Sequence, residues 1–127
     1  MKSYIPLDDP RVSRAVRLVE LYNQRRFDEL MQAFSPNFVA IVPERLDATP
    51  GTSVTSSREH CCELFQQLSD SFGTVTMTSI FVFGRERDIQ IEDDRGNSGS
   101  FLVEMDSDGL VVRFLFIHRR ANPVLAA

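Results

Sequence analysis

The chain has 127 residues, a formal net charge of -4 and an apolar fraction of 43%, which predicts one globular domain, residues 1–127, whose core needs neither a disulfide nor a metal. The acidic balance argues against a nucleic-acid partner, since phosphate backbones select basic faces. No apolar run approaches the roughly 20 residues of a membrane span, and the N-terminus lacks a secretory apolar core. We therefore expect a cytoplasmic protein with no membrane partner.

The cysteines and histidines limit the chemistry further. Cys61 and Cys62 are adjacent, and sequence neighbours rarely form a disulfide, so both are expected to be reduced thiols. Two cysteines and two histidines without ligand spacing are too few for a zinc site, so no metal is expected. Ten residues are phenylalanine, two are tyrosine and none is tryptophan. Any binding site should therefore be apolar with few polar groups.

Two helices are predicted near the start of the chain. Asp9 followed by Pro10 is a strong helix start, because aspartate accepts from free backbone N–H groups and proline suits the first helical position. Apolar residues at helical spacing extend this helix over residues 10–24. A second, short helix carries an apolar face over residues 27–34, and Pro36 ends it.

The middle of the chain combines a strand, a loop and a third helix. The continuous apolar run over residues 38–42 lies between two prolines, which indicates a strand covered on both faces. Residues 44–55 are rich in serine and threonine and show no periodicity, so a long loop is expected there. A capping box, Ser56 to Glu59, begins the third helix, whose apolar stripe runs to Phe72.

From Thr74 onward the apolar period changes from helical to alternating. This change predicts four strands, at residues 74–83, 87–93, 98–106 and 110–119. Helices followed by antiparallel strands are typical of an α+β fold with the helices on one sheet face.

The hairpin of the last two strands assigns side chains to two sheet faces, because its parity is the same for a loop of two or four residues. Glu104 is expected opposite Arg113 as a cross-strand ion pair. Both faces are apolar, so the helices can cover one and a second copy of the sheet can cover the other, which predicts a homodimer. The inward face carries Phe101, Val103, Phe114, Phe116 and His118, and the expected dimer face carries Leu102, Glu104, Val111, Arg113, Leu115 and Ile117.

Four segments carry a resemblance to a known superfamily: LYNQRRFDEL at 21–30, FVAIVP at 38–43, Arg58-Glu59, and DGLVVR at 108–113. With this order of elements, the chain resembles the nuclear transport factor 2-like superfamily, which includes ketosteroid isomerases and SnoaL-like polyketide cyclases. The resemblance covers nearly the whole chain. It implies a cystatin-like roll, a cone-shaped curved antiparallel or mixed sheet with three helices on its concave face. In such proteins this face and the helices enclose a pocket whose polar residues vary with the chemistry.

The ketosteroid isomerase pattern, laid over these segments, tests the best-defined chemistry of the superfamily. The resemblance implies that its general-base aspartate falls on Val42 and its oxyanion tyrosine on Leu18. Its oxyanion aspartate falls near Phe101 and its other pocket tyrosine near Phe65. Because apolar residues hold all four polar roles, neither proton abstraction nor enolate stabilisation can follow that route.

The same overlay and the hairpin parity predict a phenylalanine-rich pocket with few polar groups. His118, at the end of the inward face, is a candidate general acid or base, or else a rim or subunit-contact histidine. Tyr22 is a candidate assisting group, or else a core tyrosine with its hydroxyl at the surface. Glu44 and Asp47 are candidate bases at the pocket mouth, or else solvated loop charges. The predicted lining residues are Leu18, Val42, Cys61, Phe65, Phe101, Val103, Phe114 and Phe116.

Two functions remain open. The first is a SnoaL-like isomerase, cyclase or dehydratase that acts without a cofactor on an apolar polyketide, terpenoid or steroid-like substrate. The second is a non-catalytic module that binds an apolar ligand or forms a homodimer. The first function requires an open pocket between Phe65, Phe101 and Phe116. If side chains fill that space, the enzyme and ligand-binding functions are excluded and the dimerisation module remains.

Overall fold

The structure, a computed structural model, describes residues 9–43 and 52–119. Within these ranges, none of the helices is long and apolar enough to cross a membrane. The elements follow in the order α1 (Pro10–Asn23), α2 (Phe27–Gln32), β1 (Phe34–Pro43), β2 (Thr52–Thr55), α3 (Arg58–Phe72), β3 (Thr76–Phe83), β4 (Glu86–Glu92), β5 (Ser98–Met105) and β6 (Val111–Arg119).

The described strands form one curved, unclosed six-stranded sheet in the order β2-β1-β6-β5-β4-β3. β1 and β6 are parallel neighbours, and the other neighbouring strands are antiparallel. The buried side chains of the three helices form one core cluster with the inward side chains of the sheet. This architecture confirms the predicted α+β class with a mixed sheet and helices on its concave face.

Capping and cross-links between helices position the concave layer. The side chain of Asp9 accepts from the Arg11 N–H at 2.8 Å and so caps α1. Its hydrogen bonds with Arg11 lower the pKa of Asp9 to about 2. At the other end of α1, the Asn23 amide exchanges two hydrogen bonds of 2.8 Å with the backbone of Val75. These bonds join the C-terminal end of α1 to the segment that follows α3.

Three boundaries differ from the sequence predictions. β1 begins at Phe34, so the strand already includes Pro36. Thr52–Thr55 forms β2 where a loop was predicted, because it pairs with the last residues of β1, up to Pro43. α3 is capped by Ser57, one residue later than expected.

The register of β5 and β6 confirms most of the predicted faces and corrects one residue. Glu104 lies opposite Arg113 as expected, but the described chain shows no ion pair between them. The register shifts between Glu104 and Met105, which pairs Met105 with Val111. An extra residue in one strand reverses the alternation beyond it, so Val111 is fully buried on the core side. Its prediction as a dimer-face residue was wrong.

Candidate functional site

The predicted lining residues meet in the structure, but as parts of one packed core. All eight are at most 5% exposed, and all belong to the same cluster of buried side chains. They come from α1, β1, α3, β5 and β6. The residues concerned are Leu18, Val42, Cys61, Phe65, Phe101, Val103, Phe114 and Phe116.

Ring contacts fill the centre of this cluster. The ring centroids of Phe65 and Phe114 lie 5.0 Å apart, and those of Phe101 lie 5.3 Å from Phe114 and 5.6 Å from Phe116. Separations of about 4.5–7 Å are those of aromatic pairs in direct contact. The space between these rings is therefore occupied by the rings themselves. Among the described residues, packed rings therefore stand where the first function requires an open pocket between Phe65, Phe101 and Phe116.

Tyr22 is a fully buried residue with a defined hydrogen bond. Its hydroxyl donates to the Gly73 carbonyl at 3.0 Å, and its ring lies edge-on to Phe101 at 5.4 Å. Burial raises the pKa of Tyr22 well above its ordinary value. The phenol is therefore neutral and joins α1 to the end of α3. Tyr22 is a core residue, but its hydroxyl is hydrogen-bonded inside the protein and not at the surface, as that alternative expected.

His118 lies at the far end of the concave face and is half-buried. Its ring lies edge-on to Phe72 at 5.2 Å and nearly parallel to Phe116 at 6.3 Å. Gly99 on β5 is the register partner of His118. A Cβ added at Gly99 would lie 2.5 Å from the Ile117 carbonyl oxygen. The absence of a side chain at Gly99 thus lets β5 approach the strand segment that carries the imidazole.

Glu44 and Asp47 lie outside the described residues. β1 ends at Pro43, and β2 begins at Thr52, which is the register partner of Pro43. Because β1 and β6 are parallel neighbours, β1 ends at the same edge of the sheet as the end of β6 that carries His118. The described candidate residues therefore lie in two places. Tyr22 and the lining residues belong to the packed core, and His118 lies at the edge of the sheet where β1 ends.

The two thiols are free, and neither is activated. Burial raises the pKa of Cys61 to about 12. Partial burial and the nearby Asp28 carboxylate also raise the pKa of Cys62. Nucleophilic catalysis needs a thiolate, so these cysteines do not support it. Among the described residues, no group of three or more His, Cys, Asp or Glu side chains is arranged to hold a metal ion.

The outer face of the sheet carries an apolar groove of about 350 Å³. Leu102 and Leu115 form its floor at the centre of the sheet, and Val39 and Phe83 border it with exposures of 36% and 62%. Asp88 also lines the groove, and its Oδ1 is a buried atom without a hydrogen-bond partner in the described chain.

The sequence analysis did not assign Phe83 and Asp88, which line this groove, or the exposed ring of Phe81 beside Phe83. Phe81 and Phe83 were left without a position, although their spacing of two residues places them on one face of β3, and their rings stack at 6.4 Å. Asp88 is the register partner of Phe81. Alternation along β3 could have identified the two rings, but the unpartnered carboxylate oxygen depends on its three-dimensional surroundings.

No protein-family model matches the chain, and no curated protein matches it. Solved structures match it over most of its length. An NTF2-like protein of unknown function from Cytophaga hutchinsonii is 13% identical, with a TM-score of 0.63 over 99% of this chain and 98% of the other. A protein with a cystatin-like fold from Silicibacter pomeroyi is 14% identical, with a TM-score of 0.68 over 89% and 78%.

A third structure, provisionally assigned as a ketosteroid isomerase, comes from Kribbella flavida. It is 16% identical, with a TM-score of 0.66 over 89% of this chain and 80% of the other. Identities this low show a shared fold and leave the chemistry open. Together with the order and pairing of the strands, these matches show that the chain has the nuclear transport factor 2-like fold, the cystatin-like α+β roll.

Proposed function

We propose that this chain is a homodimerisation module of the nuclear transport factor 2-like fold, and that its outer sheet face is the contact between the two copies. The observation that carries the proposal is the unequal use of the two sheet faces. The side chains on the concave face are buried in the core. The outer face carries an apolar groove and two exposed aromatic rings, Phe81 and Phe83. Contiguous exposed apolar surface of this kind is typical of an interaction site.

Charge on the outer face also supports a second copy as the partner. Glu86, Asp88 and Glu104 line the groove from β4 and β5. Arg113 on β6 is the register partner of Glu104 and has no ion pair within the described residues. A two-fold axis places the same patch on both partners, so the Arg113 guanidinium of one copy can meet the carboxylates of the other. Such a contact would supply the donor that Asp88 Oδ1 lacks.

Light scattering at micromolar concentration tests this proposal. We expect twice the 14.4 kDa mass of the chain for the native protein. Phe83→Ser should shift it toward monomer without loss of folding, because the ring is 62% exposed. Leu115→Glu should abolish the dimer, and Gln67→Glu, on the exposed face of α3, should leave it intact. A native protein that is monomeric at this concentration would overturn the proposal.

A second candidate function rests on His118. A half-buried imidazole between Phe72 and Phe116, at the edge where β1 ends, could remove a proton from one atom of an apolar substrate and return it at another. The proton leaves the substrate and returns to it, and the imidazole is neutral before and after the transfer, so the step balances without a further reactant. Such a transfer is an isomerisation, so this candidate keeps the isomerase member of the SnoaL-like hypothesis for polyketide, terpenoid or steroid-like substrates and moves its site to the sheet edge.

Turnover of a bicyclic β,γ-unsaturated ketone, followed by the ultraviolet absorbance of the conjugated product, tests the second candidate. Catalysis that His118→Gln abolishes and His60→Gln preserves would establish it. His60 is the matched control because it is the other histidine and is exposed on the first turn of α3. Equal rates for the native protein, both variants and buffer would exclude this proton transfer at His118.

The two free thiols also bear on the compartment. Cys61 is fully buried and Cys62 is partly buried, and neither forms a disulfide in the described chain. Reduced cysteines are typical of cytosolic proteins. We therefore propose a cytoplasmic location, which fractionation of the native protein would test.

A further inference from the structure

A second cavity, of about 190 Å³, lies at the opposite end of β6 from His118. It forms where the first turns of α1 meet two tight turns, one between β3 and β4 and one between β5 and β6. Four arginines line it: Arg11 and Arg14 from α1, Arg85 from the first of the two turns, and Arg87 from β4. In a chain of net charge -4, this concentration of positive charge needs an explanation.

Arg87 is the fixed centre of the cluster. Its residue is only 6% exposed, and its guanidinium is held by three backbone carbonyls. Nε donates to Arg11 at 3.0 Å, and Nη1 donates to Gly84 at 2.8 Å and to Glu86 at 3.0 Å. Nη2 makes no hydrogen bond with any described residue. Nε and Nη1 thus hold the Arg87 side chain in place, and Nη2 can donate to another group.

Arg14 and Arg85 add positive charge that the described chain does not neutralise. Neither guanidinium has an ion pair or hydrogen bond among the residues of the described ranges. The Arg14 guanidinium lies over Gly109, where any Cβ would overlap it. Gly109 also has φ +82, in the left-handed region that favours glycine. The turn between β5 and β6 therefore leaves room for the Arg14 side chain beside the cavity.

The acidic groups nearby are fewer than the four arginines. Asp9 forms an ion pair with Arg11 at 2.7 Å. Asp106, the carboxylate that lines the cavity, accepts from the backbone N–H groups of Asp108 at 2.9 Å and Leu110 at 3.0 Å. Burial lowers the pKa of the Arg87 guanidinium, and the positive charges of Arg11 and Arg14 lower it further. The cavity thus has an excess of positive charge.

We propose that this cavity binds an oxyanion, either free phosphate or the phosphate group of a small phosphate ester. The planar fork of arginine matches phosphate oxygens and forms charge-assisted hydrogen bonds with them. Nη2 of Arg87 supplies a donor on a side chain that is already held in place, and Arg14 and Arg85 supply two further charges from α1 and from the turn between β3 and β4. The N-terminus of α1 is not the binding element, because Asp9 already caps it.

Calorimetric titration and phosphorus NMR of the full chain test this site. The probes are inorganic phosphate, glycerol 3-phosphate and acetate, each at the same ionic strength in sodium chloride, since phosphate salts stabilise proteins without a site. We expect saturable binding of one phosphate group per chain that weakens as salt screens the arginines. Tighter binding of glycerol 3-phosphate than of phosphate identifies an ester as the ligand, and equal binding identifies the free ion.

Arg14→Gln and Arg85→Gln should each weaken phosphate binding by about tenfold, because each removes one charge-assisted hydrogen bond. Both side chains are exposed at the cavity rim, so the variants should fold, and circular dichroism verifies this. Arg17→Gln, one turn along α1 and outside the cavity, is the matched control and should bind like the native chain. No saturable phosphate binding, unchanged binding in the double variant, or acetate binding as tight as phosphate would each overturn the proposal.

Discussion

Truncation of Phe65 to alanine measures how completely the concave face is filled. The side chain is 1% exposed, and its ring lies edge-on to Phe114 at 5.0 Å and to Phe34 at 6.1 Å. Removing a buried phenylalanine ring costs about 3–5 kcal/mol of unfolding free energy. Phe65 also stacks on Phe27 at 6.4 Å. Loss of these three aromatic pairs, each worth about 0.5–1.5 kcal/mol beyond its area, places Phe65→Ala in the upper part of that range. Because domains are stable by only about 5–15 kcal/mol, the urea midpoint should fall markedly.

Equilibrium urea unfolding followed by circular dichroism is the assay, and Gln67→Ala, on the same helix, is the matched control. Gln67 is exposed and lies outside the outer-face groove, so its truncation should change the unfolding free energy by less than about 1 kcal/mol. A similarly small cost for Phe65→Ala would mean that its ring borders open space. That result would refute the filled centre and restore the phenylalanine pocket as a ligand site.

Three further changes test contacts around the His118 edge. Gly99→Ala should destabilise the β5–β6 pair and lower the thermal midpoint, because its Cβ would lie 2.5 Å from a β6 carbonyl oxygen; an unchanged midpoint would contradict this. Tyr22→Phe should cost about 1 kcal/mol in urea unfolding, since the Gly73 carbonyl loses its donor. Burial raises the pKa of Asp93, but hydrogen bonds, chiefly from Asn97, outweigh it and hold the pKa below normal. The stability from Asp93 is therefore present at neutral pH and lost on acidification, and Asp93→Ala should flatten the acid limb of an unfolding-against-pH profile.

Elements with strong local signals were predicted to within a few residues. Asp9 and Pro10 begin α1 as expected, and the hairpin parity correctly placed Phe101 beside Phe116. β2 was missed because Thr52–Thr55 has little apolar alternation and is defined by its partner strand. Val111 was assigned to the wrong face because the register shift that turns it inward has no signature in the alternation of apolar residues.

The sequence by itself determined the fold class and the apolar composition of both sheet faces. These properties depend on residue type and spacing along the chain. Only the tertiary structure decided that the inward phenylalanines contact one another, because that depends on how closely α3 approaches the sheet. It also brought Arg14, Arg85 and Arg87 together from separate segments. Their shared positive charge exists only where the turns and α1 meet in space, which no local pattern encodes.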